Sequence, residues 1–183
     1  KRYAEDGFTS VIHGKHWHEE TQATASQAVQ YGGRYLVVFD REQTDVVCDY
    51  IRRGGETAAF LRRFDGALSP EFDPDRDLGH VGLANQTTML MSESLGIGEM
   101  LRGAMVARYG EASLDARFRA FDTICSATQD RQDAVVALLR QEEIDLMVVI
   151  GGYNSSNTCN LARICGASRP TFHIADPDCL ASP

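Results

Sequence analysis

The sequence predicts an α/β fold of two small three-layer units, each with a mainly parallel sheet. Short runs rich in β-branched residues alternate with segments long enough to be helical crossovers, which is typical of βαβ units. Glycines stand just past several of the helical segments, where helices commonly end. We place the boundary near Phe121, so that residues 1–121 form one unit and residues 122–183 an incomplete second one.

The first unit begins with what resembles the last turns of a helix, at Lys1–Glu5. Counted from Val46, one later segment carries apolar residues at i, i+1, i+4 and i+5, which predicts an amphipathic helix that Gly54 ends. Ser92 is interpreted as the cap of a helix that Gly110 ends. Strands are expected at Thr9–Ile12, Tyr35–Phe39 and His80–Ala84, an extended segment at Arg117–Thr123, and helices at His18–Gln30, Glu42–Arg53 and Ser92–Tyr109.

Residues from about 55 to 77 are interpreted as an insertion in this unit. Their first part, around Ala58–Arg62, could form a short helix. The remainder contains SPEFDPDRD, which is polar and proline-rich and therefore predicts a surface turn.

The second unit is expected to repeat the alternation of helix and strand. Ala127–Gln141 is amphipathic, and Leu146–Ile150 is a continuous apolar run of the kind found in buried strands. A helix over Ser155–Ile164, ended by Gly166, and a last strand at Thr171–Ile174 complete the unit.

Composition excludes several classes of function. The chain has 183 residues, a formal net charge of −8 and 43% hydrophobic residues, so it is globular and lacks the basic surface of a nucleic-acid or polybasic membrane binder. The longest clean apolar run, Leu146–Ile150, is far shorter than the ~20 residues of a membrane-spanning helix. Because the chain has no initiator methionine or signal peptide, we expect it to be a piece excised from a longer protein.

The five cysteines are too few and too irregularly spaced for a disulfide scaffold or a common zinc motif. Their odd number favours a reducing compartment. Most cysteines in such a chain are small buried hydrophobic residues.

Four of the expected strands end in unusually polar segments. In open α/β sheets, ligands bind beyond the carboxyl ends of the strands, so these segments are the candidate site. They are His13–Thr21 (HGKHWHEET), Ala84–Thr88 (ANQTT), Asp122–Gln129 (DTICSATQ) and Gly151–Thr158 (GGYNSSNT).

The segment GGYNSSNT places Ser155, Ser156 and Asn157 at the start of a helix. Free backbone N–H groups and the helix dipole favour an anion there, and hydroxyl and amide groups add donors for phosphate oxygens. A simple N-cap in a serine-rich turn explains the same pattern.

The other three segments each allow two interpretations. Cys125, in the first turn of a helix, could be a stabilised thiolate that acts as nucleophile or metal ligand, or a buried structural cysteine. The histidines at 13, 16 and 18, beside Glu19 and Glu20, could transfer protons or could be polar helix-entry residues. Gln86, Thr87 and Thr88 could position a ligand or water, or could be turn and cap residues.

Taken together and in order, these segments resemble the 4-hydroxy-3-methylbut-2-enyl diphosphate reductases of the plant and cyanobacterial type. The resemblance spans nearly the whole chain, and five segments in register are far more specific than one. The segments are IHGKHWHEETQATAS (Ile12–Ser26), CDYI (Cys48–Ile51), FDPDRDLGHVGLANQTTML (Phe72–Leu90), DTICSATQDRQDA (Asp122–Ala134) and IDLMVVIGGYNSSNT (Ile144–Thr158).

The resemblance implies an iron–sulfur oxidoreductase of isoprenoid biosynthesis, in the methylerythritol phosphate pathway. Such an enzyme removes the hydroxyl of 4-hydroxy-3-methylbut-2-enyl diphosphate with two electrons and protons, giving isopentenyl and dimethylallyl diphosphates. The implied cofactor is a [4Fe–4S] cluster held by three cysteines, and the implied electron donor is ferredoxin. The residues that match family positions are Cys125 as cluster ligand, Glu20 as proton donor, Thr87 for the substrate hydroxyl, and His18, Thr128, Ser155, Ser156 and Asn157 for substrate binding.

The resemblance also implies a three-unit trefoil of which this chain holds the middle unit and most of the third. The other two cluster cysteines are then expected outside the chain, and the chain by itself is expected to be inactive. The implied location is the bacterial cytoplasm or the plastid stroma. Two alternatives remain at this stage: a non-catalytic diphosphate-binding module, and a hydrolase using Cys125 as nucleophile with His18.

Overall fold

The chain divides into two compact units, one of residues 1–86 and 91–123 and the other of residues 87–90 and 124–183. The computed structural model describes residues 2–120, 126–141 and 143–180. The predicted boundary near Phe121 therefore lies outside the described residues. That these units are the middle and third of a trefoil stays a prediction.

The first unit alternates helices with strands, as its sequence pattern indicates. A 3₁₀ turn, Glu111–Ser113, precedes its last short helix. Its elements are α1 (Arg2–Glu5), β1 (Thr9–His13), α2 (Glu19–Gln30), β2 (Tyr35–Val38), α3 (Arg41–Arg53), α4 (Thr57–Arg63), α5 (Pro74–Asp77), β3 (Val81–Asn85), α6 (Met91–Tyr109), α7 (Leu114–Arg117) and β4 (Phe118–Ala120).

All neighbours in the first sheet are parallel, in the order β2-β1-β3-β4. The five residues of β1 are all buried, as expected for a parallel strand covered on both faces. His13 at the end of β1 is in register with Val38 of β2 and Asn85 of β3. The carboxyl ends of these three strands thus meet at one edge of the sheet. The predicted parallel α/β architecture is confirmed.

The core of this unit depends on the packing of α3 against α6. Val47, Ile51, Ile97 and Leu101 are at most 2% exposed. Burying a side chain of this size contributes roughly 1.5–3 kcal/mol. The amphipathic pattern predicted for α3 therefore supplies the face that closes the core.

The polar segment before β3 differs from the predicted surface turn. Phe72 is buried and stacks on Phe60 with ring centroids 6.4 Å apart. Asp73 caps α5 by accepting a hydrogen bond from the Asp75 backbone N–H at 3.0 Å. The prediction followed the prolines and acidic residues of this segment and overlooked two apolar side chains, Phe72 and Leu78, which pack in the core.

The second unit contains α8 (Ser126–Gln141), β5 (Met147–Ile150), α9 (Ser156–Gly166) and β6 (Thr171–Ile174), followed by a 3₁₀ turn at Pro177–Cys179. The two strands are parallel, with Val148 opposite Phe172. Gly166 was predicted to follow the helix and end it, but it is the last helical residue of α9. Ala167 follows it in a helical conformation.

Two further elements differ slightly from the sequence prediction. The helix α6 begins at Met91, so Ser92, which was predicted as its cap, lies inside its first turn. The extended segment expected at Arg117–Thr123 begins only at Phe118, since Arg117 still belongs to α7.

Within the part of the chain that the structure describes, no helix combines the length and apolar character needed to span a bilayer.

Candidate functional site

The loop that follows β1 is fixed to the end of β3 by Gln86. The Gln86 side chain is 1% exposed, and its Oε1 accepts hydrogen bonds from the Lys15 backbone N–H at 3.1 Å and the Thr21 hydroxyl at 3.2 Å. The Gln86 backbone N–H donates to the His13 carbonyl at 2.8 Å. A Cβ on Gly14 would lie 2.7 Å from Thr21 Oγ1, so only glycine allows this close approach.

The three histidines of this segment have different environments. His13 is fully buried, and its Nδ1 is hydrogen-bonded to Ser94 Oγ at 2.7 Å, which is typical of a core histidine. The His16 ring packs edge-on against Trp17, with centroids 4.7 Å apart, while Trp17 remains 60% exposed. His18 is the histidine placed at a helix entrance. Over the described ranges, His, Cys, Asp and Glu form no group of three or more that could hold a metal ion.

His18 is the N-cap of α2 and uses its ring as the cap. Its Nδ1 accepts a hydrogen bond from the Glu20 backbone N–H at 3.3 Å. A neutral ring that accepts at Nδ1 carries its proton on Nε2. His18 therefore presents an N–H donor on the side of the ring away from the helix.

Glu20 lies in the first turn of the same helix and is partly buried. A carboxylate is favoured at this end of a helix by the partial positive charge of the free N–H groups. Because its backbone N–H is bound to His18, the position of Glu20 is tied to the cap.

In the second unit, the start of α9 carries the predicted phosphate-binding residues. Ser155 is the N-cap, and its Oγ accepts from the Thr158 backbone N–H at 3.4 Å. Ser156 is buried, whereas Asn157 is partly exposed. The predicted helix N-terminus is confirmed, and so is the N-cap interpretation of Ser155. A capping hydroxyl that accepts from the helix still has its own proton to donate.

The segment containing Thr87 and Thr88 belongs to this second unit. Asn160 of α9 donates through Nδ2 to the Thr88 carbonyl at 2.7 Å, which fastens the segment to α9. Thr128, on α8, is 4% exposed, and Gln132 one turn later is also buried. Whether Thr87 and Thr128 bind substrate stays a prediction.

The predicted cluster ligand, Cys125, lies outside the described residues. The other cysteines are free thiols in four different settings. Cys48 is in the core of the first unit, where burial raises its pKa to about 11. Burial also raises the pKa of Cys165, Cys159 donates through Sγ to the Tyr153 carbonyl at 3.1 Å, and Cys179 is exposed.

A cavity of about 480 Å³ occupies the opposite edge of the first sheet. Arg34, Arg76 and His80 line it, at the amino ends of the strands. Ligands of open parallel sheets bind at the carboxyl ends of the strands, so the polar residues at those ends, and not this cavity, form the candidate site.

Sequence reasoning missed two residues that organise the second unit. Neither Asn160, inside a helix, nor His173, inside a strand, belongs to a motif with a chemical meaning of its own. His173 is hydrogen-bonded through Nε2 to the Gly151 carbonyl at 2.9 Å, at the start of the GGYNSSN segment. Only the pairing of β5 with β6 reveals this contact.

A comparison with known protein families identifies the family of the chain. The profile of the LytB protein family matches residues 1–182. The chain belongs to the LytB family.

Curated relatives in the LytB family are similar along almost the whole chain. A 4-hydroxy-3-methylbut-2-enyl diphosphate reductase of Synechococcus sp. (strain RCC307) is 54% identical over 180 residues, covering 97% of this chain and 43% of that protein. The reductase of Gloeobacter violaceus is 53% identical over 182 residues, covering 99% of this chain and 42% of that protein. The chain thus spans less than half the length of these relatives.

A solved structure supports the fold of the LytB chain. The structure of the E-1-hydroxy-2-methyl-but-2-enyl-4-diphosphate reductase from Plasmodium falciparum matches with a TM-score of 0.60 at 18% identity. The match covers 94% of this chain and 42% of that one. At this identity the likeness concerns the α/β fold alone.

Proposed function

We propose that this chain is part of a 4-hydroxy-3-methylbut-2-enyl diphosphate reductase and supplies its diphosphate-binding and proton-donating groups. The observation that carries the proposal is 54% identity to a reductase over 180 residues, with the polar strand-end segments inside the matched region. The proposed reaction takes up two electrons and two protons and releases the substrate hydroxyl as water. Ferredoxin is the proposed electron donor.

The start of α9 is the proposed diphosphate site. Ser155, Ser156 and Asn157 add hydroxyl and amide donors to a helix N-terminus, which is the combination that phosphate oxygens need. Since the chain carries a net negative charge, it has no basic surface to attract an anion. Neutral donors at a helix N-terminus can bind an anion without such a surface.

His18 and Glu20 have complementary proposed roles. The ring of His18, which accepts at Nδ1, can donate its Nε2 proton to a phosphate oxygen. Glu20 is the proposed acid that delivers a proton to the substrate, and Thr87 is proposed to hold the reacting hydroxyl or a water with its own hydroxyl group.

The described residues alone do not fit a [4Fe–4S] cluster. Such a cluster is held by cysteine thiolates, and the four described cysteines form no group of metal ligands. We therefore assign the cluster to the longer protein, with Cys125 as the one ligand proposed from this chain, and derive no reaction step through it.

The diphosphate site is tested on the 183-residue chain with inorganic pyrophosphate and isothermal calorimetry. We expect one binding event, weakened more than about 10-fold by Asn157→Asp, because the new carboxylate repels the anion at short range. Gln30→Glu adds the same charge at the exposed end of α2 and serves as the control. No binding by the unmodified chain would refute the site.

The reductase activity is tested on the longer protein, purified without oxygen. Cys125→Ala is expected to lose iron and turnover, whereas Cys179→Ala, at an exposed position, is expected to keep both. Glu20→Gln is expected to keep iron and pyrophosphate affinity and to lose turnover. Full iron content in Cys125→Ala, or unchanged turnover in Glu20→Gln, would remove that residue from the proposal.

A second candidate function is a diphosphate-binding module without redox chemistry. It is favoured by the hydroxyl and amide donors at the start of α9, which can hold an anion without a metal cluster. Stoichiometric pyrophosphate binding by a longer protein that carries no iron would support it over the reductase.

A further inference from the structure

We infer that His173 is a positioning residue for the loop that precedes the proposed diphosphate site. The inference rests on the proposed function for its consequence on ligand binding, but its structural basis is local to the second unit. The loop in question is Gly151–Ser155, between β5 and the start of α9.

Both backbone polar groups of Gly151 are held by β6. The Gly151 N–H donates to the Ile174 carbonyl at 2.9 Å, which continues the parallel ladder by one residue. The Gly151 carbonyl is 2.9 Å from His173 Nε2. A carbonyl only accepts, so the ring donates, and its proton is on Nε2. Gly151, the residue that opens the loop, is thus held by β6 through both its N–H and its carbonyl group.

Position 151 requires glycine. Its φ of +154° lies in a region that favours glycine, and a Cβ would stand 2.8 Å from Oγ1 of Thr158, in the first turn of α9. The loop therefore leaves β5 against α9 in a conformation that backbone propensity alone does not select. A directed hydrogen bond from outside the loop is what fixes the orientation of the carbonyl.

Further contacts within the loop connect Gly151 to the start of α9. The Ser155 N–H donates to the Gly152 carbonyl at 3.0 Å, closing a turn just before the N-cap. The Tyr153 ring packs edge-on against His173, with centroids 4.9 Å apart, and its carbonyl accepts from Cys159 Sγ. His173 thus contacts the loop at two points, one by hydrogen bonding and one by ring packing.

The consequence concerns the donors of the anion site. Helix-start donors bind phosphate well only when they are held in the bound geometry beforehand, since ordering them on binding costs affinity. Without the His173 contact, the Gly151 carbonyl can rotate, and residues 152–155, which connect it to the start of α9, become less ordered. The net value of one hydrogen bond corresponds to about a 2- to 10-fold change in an equilibrium constant.

The experiment compares His173→Leu, His173→Asn and His173→Gln in the 183-residue chain. Glutamine places an amide N–H near the position of Nε2, asparagine is too short to reach, and leucine keeps apolar volume without a donor. Pyrophosphate affinity is measured by calorimetry, and amide hydrogen exchange is measured by mass spectrometry on peptides spanning residues 151–157.

We expect His173→Leu and His173→Asn to bind pyrophosphate about 2- to 10-fold more weakly and to exchange faster in the loop by a similar factor. His173→Gln is expected to restore both, which a purely space-filling role would not do. Thermal unfolding of the variants shows whether the second unit stays folded.

The outcomes separate the inference from the proposed function. If pyrophosphate does not bind the unmodified chain but the exchange pattern follows the donor, the diphosphate site fails and the positioning role stands. If exchange and affinity in His173→Leu equal those of the unmodified chain, or if His173→Gln behaves like His173→Leu, the positioning role is overturned.

Discussion

Replacing Gln86 by leucine tests how the loop after β1 is held. Leucine keeps the volume of the side chain but removes the Oε1 that accepts from the Lys15 N–H and the Thr21 hydroxyl. Leaving a buried donor without a partner costs about 1–3 kcal/mol. The threonine hydroxyl can rotate toward another acceptor, so the loss comes mainly from the Lys15 N–H, and we expect the free energy of unfolding to fall by about 1–3 kcal/mol.

The loss is measured by urea denaturation followed by tryptophan fluorescence. Trp17 is the only tryptophan of the chain and lies in the affected loop, so its signal reports on the first unit. Gln22→Leu makes the same chemical change at an exposed position of α2 and is expected to stay within about 0.5 kcal/mol of the unmodified chain.

A double-mutant cycle with Thr21→Val isolates one of the two contacts. If Oε1 of Gln86 and the Thr21 hydroxyl interact as the 3.2 Å distance indicates, the two substitutions couple by about 1 kcal/mol. A Gln86→Leu variant as stable as the Gln22→Leu control, or a coupling of zero, would refute the view that Gln86 holds the loop.

Three further predictions concern single side chains of the described residues. Since burial raises the pKa of Cys48 to about 11, a thiol-specific reagent at pH 8 should label exposed Cys179 at once and Cys48 only after unfolding. Desolvation of its ring, and next the nearby Arg117, lower the pKa of His80. The unfolded chain therefore binds a proton more readily at this residue, so stability should fall as pH drops below about 6.5, and His80→Gln should flatten this slope in urea titrations. Glu71 has a φ of +56°, which asparagine tolerates better, so Glu71→Asn should raise the free energy of unfolding by about 0.5–1 kcal/mol, and an unchanged or lower value would argue against strain there.

The fold was largely predictable because local patterns agree with it. The apolar face of α3 and the alternation of strands with helices are periodic signals that burial alone explains. Prediction failed where long-range packing outweighed local composition. The segment around Phe72 reads as a surface turn from its prolines and acidic residues, yet two apolar side chains bind it to the core.

The candidate site was predictable to a different degree in each part. Ser155 could be placed at a helix N-terminus because capping is a local property of sequence. His18 caps α2 through a group two residues away, and a helix-entry role for it could be predicted. The burial of His13 could not, because its partner Ser94 is 81 residues away in the chain. The predicted cluster ligand, Cys125, lies outside the described residues and stays a prediction.

The order and type of residues along the chain are enough to predict the alternating architecture, the polar strand ends and the family resemblance. The contacts by which Gln86 holds the loop after β1 and His173 holds Gly151 become visible only in the folded chain. Gln86 and Lys15 are 71 residues apart in the chain, and His173 and Gly151 are 22 apart. Hydrogen bonds of this kind form because strand pairing brings distant segments together, and no local periodicity records which side chain will meet which backbone group.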